Sequence, residues 1–143
     1  MRSLLFVPGD SPRKFAKAIG TAADVLVLDL EDSVAASAKS EARRTVTEML
    51  AADRAGKSLV VRVNAFDTGL TLDDLAAVMP HAPDAVMLPK CRGRSDLDLL
   101  DHYLSAFEAA NGLERGKTGV IAVATETGES VLGLSSYRPH PRL

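Results

Sequence analysis

The 143-residue sequence has a single cysteine, Cys91, no tryptophan, and only 4% aromatic residues. One thiol excludes an intrachain disulfide framework and fits a reducing compartment. Positive charge is not in excess, with 17 Lys and Arg against 19 Asp and Glu and a net charge of −2. Overall charge therefore gives no drive toward nucleic acid. No apolar run approaches the ~20 residues that cross a bilayer. The short run after Met1-Arg2-Ser3 stops at Pro8-Gly9, too early for a signal-peptide core. His81, His102 and His140 are scattered, which removes a zinc site and a histidine-based nucleophile triad. Gly9 is followed by no Gly-Lys-Ser/Thr, so it opens no P-loop. What is present is 46% hydrophobic and 25% charged, too apolar for disorder. These features read as a single cytoplasmic α/β domain over residues 1–143, with no membrane or nucleic-acid partner.

Two hydrophobic periods alternate along the chain. Solid apolar runs at Leu4–Val7, Val25–Leu30, Leu59–Val63, Ala85–Leu88 and Val120–Val123 predict strands buried on both faces. Between them, Ala42, Val46, Met49 and Leu50 fall on one helical stripe. Leu72, Leu75, Ala76 and Met79 form a second, and Leu97, Leu100, Leu104 and Phe107 a third. Ser11-Pro12 predicts a capping hydroxyl before a proline at the first helical position. Thr71 with Asp74 reads as a weak relative of the capping box, Ser95-Asp96 opens the next helix, and Gly112 and Gly116 close it. The pattern is five βα units, the fifth helix beginning at Glu129–Leu134. A five-stranded doubly wound sheet fits the length. A (β/α)8 barrel fits the alternation but typically needs ~250 residues.

The polar residues favour the barrel. Every strand runs into a polar or turn-forming cluster: Pro8-Gly9-Asp10-Ser11, Asp29-Leu30-Glu31-Asp32-Ser33, Arg62-Val63-Asn64, Pro89-Lys90 and Thr125-Glu126-Thr127-Gly128. Barrels gather such exits at one mouth, whereas doubly wound sheets concentrate them at a switch point. Asp29, Glu31 and Asp32 place three carboxylates in four positions, with Asp29 and Glu31 on one face. They repel unless a cation neutralises them. The plainer reading is a solvated turn. Arg62, inside an apolar strand, needs a partner, and a structural ion pair with the Asp29 cluster would suffice. Glu126 could equally cap the next helix, and Lys90 could be an ordinary loop lysine. Gly9, ahead of a helix N-terminus, suits an anion. Cys91 reads as a loop residue and not a nucleophile. A receiver-like domain fails on position, since Asp10 stands alone, strand three carries Arg62 and strand five carries Glu126.

Five motifs occur in order: Arg2-Ser3-Leu4-Leu5-Phe6-Val7-Pro8-Gly9, Leu28-Asp29-Leu30-Glu31-Asp32-Ser33-Val34, Val61-Arg62-Val63-Asn64, Met87-Leu88-Pro89-Lys90 and Glu126-Thr127. Together they resemble the citrate lyase β-subunit-like proteins, relatives of malyl-CoA lyase within the HpcH/HpaI aldolase superfamily. The resemblance implies a (β/α)8 TIM barrel of which the first five βα units are present, so that the chain forms the N-terminal part of the barrel. It implies a magnesium-dependent carbon–carbon lyase that cleaves a β-hydroxyacyl thioester, of citryl- or malyl-CoA type, to an oxo acid and an acyl thioester.

By position, Glu126 resembles the metal-ligating carboxylate at the end of strand five. A second carboxylate ligand for Mg²⁺ is expected beyond residue 143, on a sixth strand. Arg62 resembles the arginine that holds the oxo-acid end of the substrate, and Glu31 and Asp32 resemble acids that contact metal-bound water. Pro8, Gly9, Arg13 and Lys17 resemble the edge that takes coenzyme A phosphates, although the acyl carrier could also be a protein. The resemblance further implies a homo-oligomer, a trimer or hexamer. The rival readings are an incomplete, non-catalytic barrel fragment and an oxo-acid aldolase acting on free aldehydes. The sequence expectation for the mouth is that Arg62 and Glu126 face each other, with Glu31 and Asp32 on the same wall.

Overall fold

A computed structural model describes residues 2–143. Five strands form one parallel sheet in the order β1-β2-β3-β4-β5. They are β1 (Leu4–Pro8), β2 (Val25–Asp29), β3 (Ser58–Arg62), β4 (Ala85–Leu88) and β5 (Gly119–Ala122). The helices between and after them are α1 (Pro12–Ile19), α2 (Lys39–Ala51), α3 (Thr71–Val78), α4 (Arg94–Ala110) and α5 (Gly128–Leu132). A short 3₁₀ turn, Leu134–Tyr137, follows α5. The sequential order excludes the doubly wound alternative, which would place strands two and one in reversed order.

The two faces of the sheet have separate cores. Val7, Leu26, Leu28, Leu59, Val61, Val86, Leu88 and Val120 pack against helix residues such as Ala42, Val46, Leu75, Leu97, Leu100 and Leu104. Val25, Val27, Val60, Ala85 and Met87 cluster with Ile121 and Val123 and with no helix residue. Helices therefore cover one face, and the other is the concave interior of a TIM-type (β/α) barrel. Apolar residues at consecutive strand positions supply both cores at once. At the edge, Leu4, Leu5 and Phe6 of β1 remain exposed.

Three expected helix starts differ in detail. Ser11 occupies the N-cap of α1, yet its hydroxyl makes no cap bond; its carbonyl accepts from the N–H groups of Lys14 and Phe15. The cap of α3 is Leu70, not Thr71. The Thr71 hydroxyl donates to the Asn64 carbonyl at 2.9 Å, and Asp74 is buried, accepting from the Asn64 N–H and Nδ2 and from Arg43 Nε at 2.8 Å. Likewise α4 is capped at Gly93, while buried Asp96 accepts from the Arg92 N–H. Only at α3 are the polar residues near the helix start used for tertiary contact; at α1 and α4 the bonds stay within four residues. Gly112 does follow the end of α4, in the left-handed conformation at φ +66°.

The chain after α5 folds back against α4 and the start of β5. Arg142 is buried, bonded by its guanidinium to Glu108, Ser105 and the Thr118 carbonyl, and its own carbonyl accepts from the Val120 N–H at 2.8 Å. Among the described residues no helix is long and apolar enough to cross a membrane.

Candidate active site

In a parallel sheet with short βα connections, the residues just past the strand ends share one rim. Register places Asp29 of β2 beside Arg62 of β3, and alternation puts both on the concave face with Val27 and Val60. Arg62 donates from Nε and Nη2 to the two carboxylate oxygens of Asp29, each at 2.7 Å. Asp29 also accepts from the N–H groups of Glu31 and Ser33. Burial pushes the Asp29 carboxyl up, but Arg62, Ser33 and Glu31 outweigh it and hold the acid below its ordinary range. Arg62 is raised in turn by its bond to Asp29. The structural ion pair that the sequence admits for Arg62 is therefore real, and it uses the planar fork of the guanidinium.

Nη1 of Arg62 points to the other acids, 3.2 Å from Glu31 Oε2 and 4.0 Å from Asp32 Oδ2. The Phe6 ring lies 4.9 Å from the guanidinium carbon, a cation–π contact that holds the plane from the β1 side. The Glu31 side chain is only 5% exposed, yet neither of its oxygens makes a hydrogen bond. Asp32 is exposed.

Lys90, following β4, approaches Glu31 from the opposite side, with Nζ 3.2 Å from Oε1, and Glu31 raises its pKa. The Lys90 N–H donates to Glu126 Oε2 at 2.7 Å. Asp29, Arg62, Glu31, Lys90 and Glu126 thus form one connected chain across the ends of β2 to β5. Beside it lies a cavity of about 110 Å³, lined by Ala65, Phe66, Pro89, Lys90, Arg92 and Thr127. Arg62 and Glu126, expected to face each other, make no direct ion pair among the described residues; Glu31 and Lys90 stand between them. Lys90 is the mouth residue whose role the sequence left unassigned, and nothing in a lysine signals its left-handed φ of +49°.

At the β1 edge, Gly9 donates its N–H to the Asp29 carbonyl at 2.8 Å. A Cβ there would stand 2.7 Å from that oxygen and 2.9 Å from Val46. Its glycine is required by close packing, and its N–H is already engaged. Pro8 is half-buried, while Arg13 and Lys17 are exposed on α1. Cys91 is fully buried, and burial pushes its thiol up, which is the environment of an inert cysteine.

The donor set for a hard cation is partial. Exposed Glu126 offers a carboxylate whose chemistry suits Mg²⁺. No group of three His, Cys, Asp or Glu side chains placed to hold a metal occurs among the described residues. Asp29 is saturated by Arg62 and main-chain N–H groups, and Glu31 lies between two cations.

The family model for HpcH/HpaI aldolase/citrate lyase matches residues 2–136. The chain belongs to this family. The citrate lyase subunit β of Escherichia coli K12 is 38% identical over 135 residues, 94% of this chain and 43% of that protein. A (3S)-malyl-CoA thioesterase of Cereibacter sphaeroides is 33% identical over 143 residues, 99% of this chain and 46% of that protein. The CitE protein of Mycobacterium tuberculosis, solved with magnesium and pyruvate, superposes with a TM-score of 0.70 at 35% identity, covering 93% of this chain and 47% of that one. The chain thus spans less than half the length of the curated relatives it matches.

Proposed function

We propose that this chain is the part of a carbon–carbon lyase that binds the oxo-acid end of a β-hydroxyacyl thioester, of citryl- or malyl-CoA type. In this reading residues 1–143 are one domain, comprising the first five βα units of the barrel. The observation that carries it is the connected row Asp29–Arg62–Glu31–Lys90–Glu126 at the rim of a sheet matched by an aldolase/lyase family.

In the cleavage, the β-hydroxyl gives up its proton and its carbon becomes the carbonyl of the released oxo acid. The electrons of the broken C–C bond pass to the thioester as an enolate, which is then protonated. Asp29 clamps the guanidinium of Arg62 in one plane, so that Nη1 faces the mouth without having to reorganise. There it binds the carboxylate of the substrate and offsets developing negative charge. Glu31 and Asp32 line the same wall and accept hydrogen bonds from water or from the substrate hydroxyl. Glu126 would supply one oxygen ligand to Mg²⁺, with a second carboxylate expected outside these residues. When bound, the ion polarises the hydroxyl and carboxylate of the substrate. Arg13 and Lys17, exposed on α1, are the cations available to the phosphates of coenzyme A. The family resemblance further implies a homo-oligomer, trimeric or hexameric, in a cytoplasmic enzyme; the exposed β1 edge is where the last strand of a closed barrel would pair.

The test is to incubate a full-length barrel that carries these residues, and so the second carboxylate, with Mg²⁺ and citryl-CoA or (3S)-malyl-CoA and separate the products. Oxo acid plus acetyl-CoA supports the lyase reading. Free coenzyme A with the hydroxy acid intact gives instead the thioesterase reaction that the Cereibacter relative is named for. No turnover in either assay, together with no binding of oxaloacetate, overturns the proposal.

A further inference from the structure

Among the described residues, only two cations approach the Glu31 carboxylate, Arg62 Nη1 at 3.2 Å and Lys90 Nζ at 3.2 Å. Lys39 holds this segment differently, donating from Nζ to the carbonyls of Leu30 and Glu31 at 2.7 and 2.6 Å. It fixes the main chain and leaves the Glu31 side chain to the mouth. Arg62 is committed through Nε and Nη2 to Asp29, so its hold on Glu31 is by one arm. Lys90 meets two acids at once, Glu31 through Nζ and Glu126 through its N–H. It does so from a left-handed backbone at φ +49°, a region costly for a residue with a Cβ, which persists where surrounding contacts impose it.

We propose that Lys90 is a positioning residue that registers Glu31 to Glu126, its ammonium fixing one carboxylate and its main-chain N–H the other, with the left-handed turn setting both at once. The two acids of the mouth then keep a constant separation through a single residue, although they lie on different βα units. That this spacing serves an oxo acid rests on the lyase reading; the registration itself does not.

The experiment is a double-substitution cycle read by NMR of the labelled chain at a fixed pH. Glu126→Ala removes the acceptor of the Lys90 N–H and is expected to move the Glu31 side-chain carboxyl resonance. In a Lys90→Met background the same substitution should leave that resonance where it is, and in Lys90→Arg the response should return. Glu126→Gln, which keeps an acceptor oxygen, should preserve the scalar coupling across the Lys90 N–H bond. Unchanged core amide spectra show that each variant is folded. An identical response of Glu31 in both backgrounds, or none in either, overturns the registration.

Oxaloacetate with Mg²⁺ is the functional arm. Lys90→Met is expected to weaken its binding about tenfold, the effect of losing a residue that orients a ligand-bearing one, with recovery in Lys90→Arg. If wild type binds no oxaloacetate, the lyase reading fails while the carboxyl resonance still decides the role of Lys90.

Discussion

Two arginines, at opposite ends of the strands, meet acids in different ways. Arg142, near the start of β5, uses all five of its N–H groups: Nε to Asp101, Nη1 to Glu108 and the Thr118 carbonyl, and Nη2 to Ser105 and Glu108. Glu108 in turn accepts from the N–H groups of Gly116 and Thr118. Arg62, at the end of β3, makes hydrogen bonds to Asp29 through Nε and Nη2, and its Nη1 stands near Glu31 without one. A saturated buried pair holds chain segments together. An arginine with a donor left over, beside a buried carboxylate with acceptors left over, has the unmet capacity that the proposed lyase reading assigns to a ligand. Both pairs involve buried charge, and the difference is in unmet hydrogen-bonding capacity.

The largest expected effect lies in the saturated pair. Glu108→Gln leaves Arg142 buried with a weakened partner and should cost about 3–5 kcal/mol in urea unfolding, as broken buried pairs do. The pH dependence agrees. Burial pushes Glu108 up, but Arg142 and the N–H groups of Thr118 and Gly116 dominate and hold it at about 2 against an ordinary 4.5. A carboxyl so lowered stabilises the fold fully above the unfolded value, and the contribution is lost as pH falls from 4.5 toward 2. The size of that loss is about 3 kcal/mol. Stability of wild type should therefore decline across that window more steeply than that of Glu108→Gln. Equal slopes would mean that the pair adds nothing.

Arg62→Lys tests the other side. An ammonium keeps the charge but cannot reproduce the planar fork on Asp29. If the lyase reading holds, thioester turnover by the full-length barrel should fall about 10²–10³-fold, the range for removing one oriented donor. The stability loss should be smaller than for Glu108→Gln, because this pair is nearer solvent. The contrast between the two arginines breaks if Arg62→Lys unfolds the chain as readily and leaves oxaloacetate binding unchanged.

The sheet was legible because each strand carries apolar residues at consecutive positions, and the sequential polar exits favoured a barrel. Asp29, Arg62 and Glu31 were legible as a group because charge next to buried strands needs compensation, whereas Lys90 read only as a strand-end lysine without a role. An ion pair of Arg62 with the Asp29 cluster was legible too, but not which acid takes which nitrogen. That Asp29 takes the fork of Arg62 depends on a β2–β3 register that alternation alone leaves free. The Arg142 lock was invisible for another reason. It joins residues 34 and 41 positions apart, and an arginine after Pro141 looks like any surface arginine. Asp74 read as a helix-capping acid, yet its oxygens hold Asn64 and Arg43, since a short acidic side chain serves a cap and a tertiary contact equally well.

The smallest predicted difference compares two hydroxyls with similar sequence signatures. Ser11 and Thr127 each precede a helix at the rim. The Ser11 hydroxyl makes no cap bond, whereas Thr127 Oγ1 accepts from the Ser130 N–H at 3.1 Å and Ser130 Oγ accepts from the Thr127 N–H at 3.2 Å, a reciprocal capping box. Thr127→Ala should cost about 1 kcal/mol, the usual value of a lost cap, and Ser11→Ala much less. The loss should also be local. Thr127 directly follows Glu126, and α5 is only five residues long, too short to persist on propensity alone. Fraying of its first turn would release the Glu126 carboxylate from the Lys90 N–H. Amide exchange at Lys90 should therefore quicken in Thr127→Ala and stay at the wild-type rate in Ser11→Ala. Equal exchange in the two variants would show that the Glu126–Lys90 bond is held by the strand ends alone and owes nothing to the cap of α5.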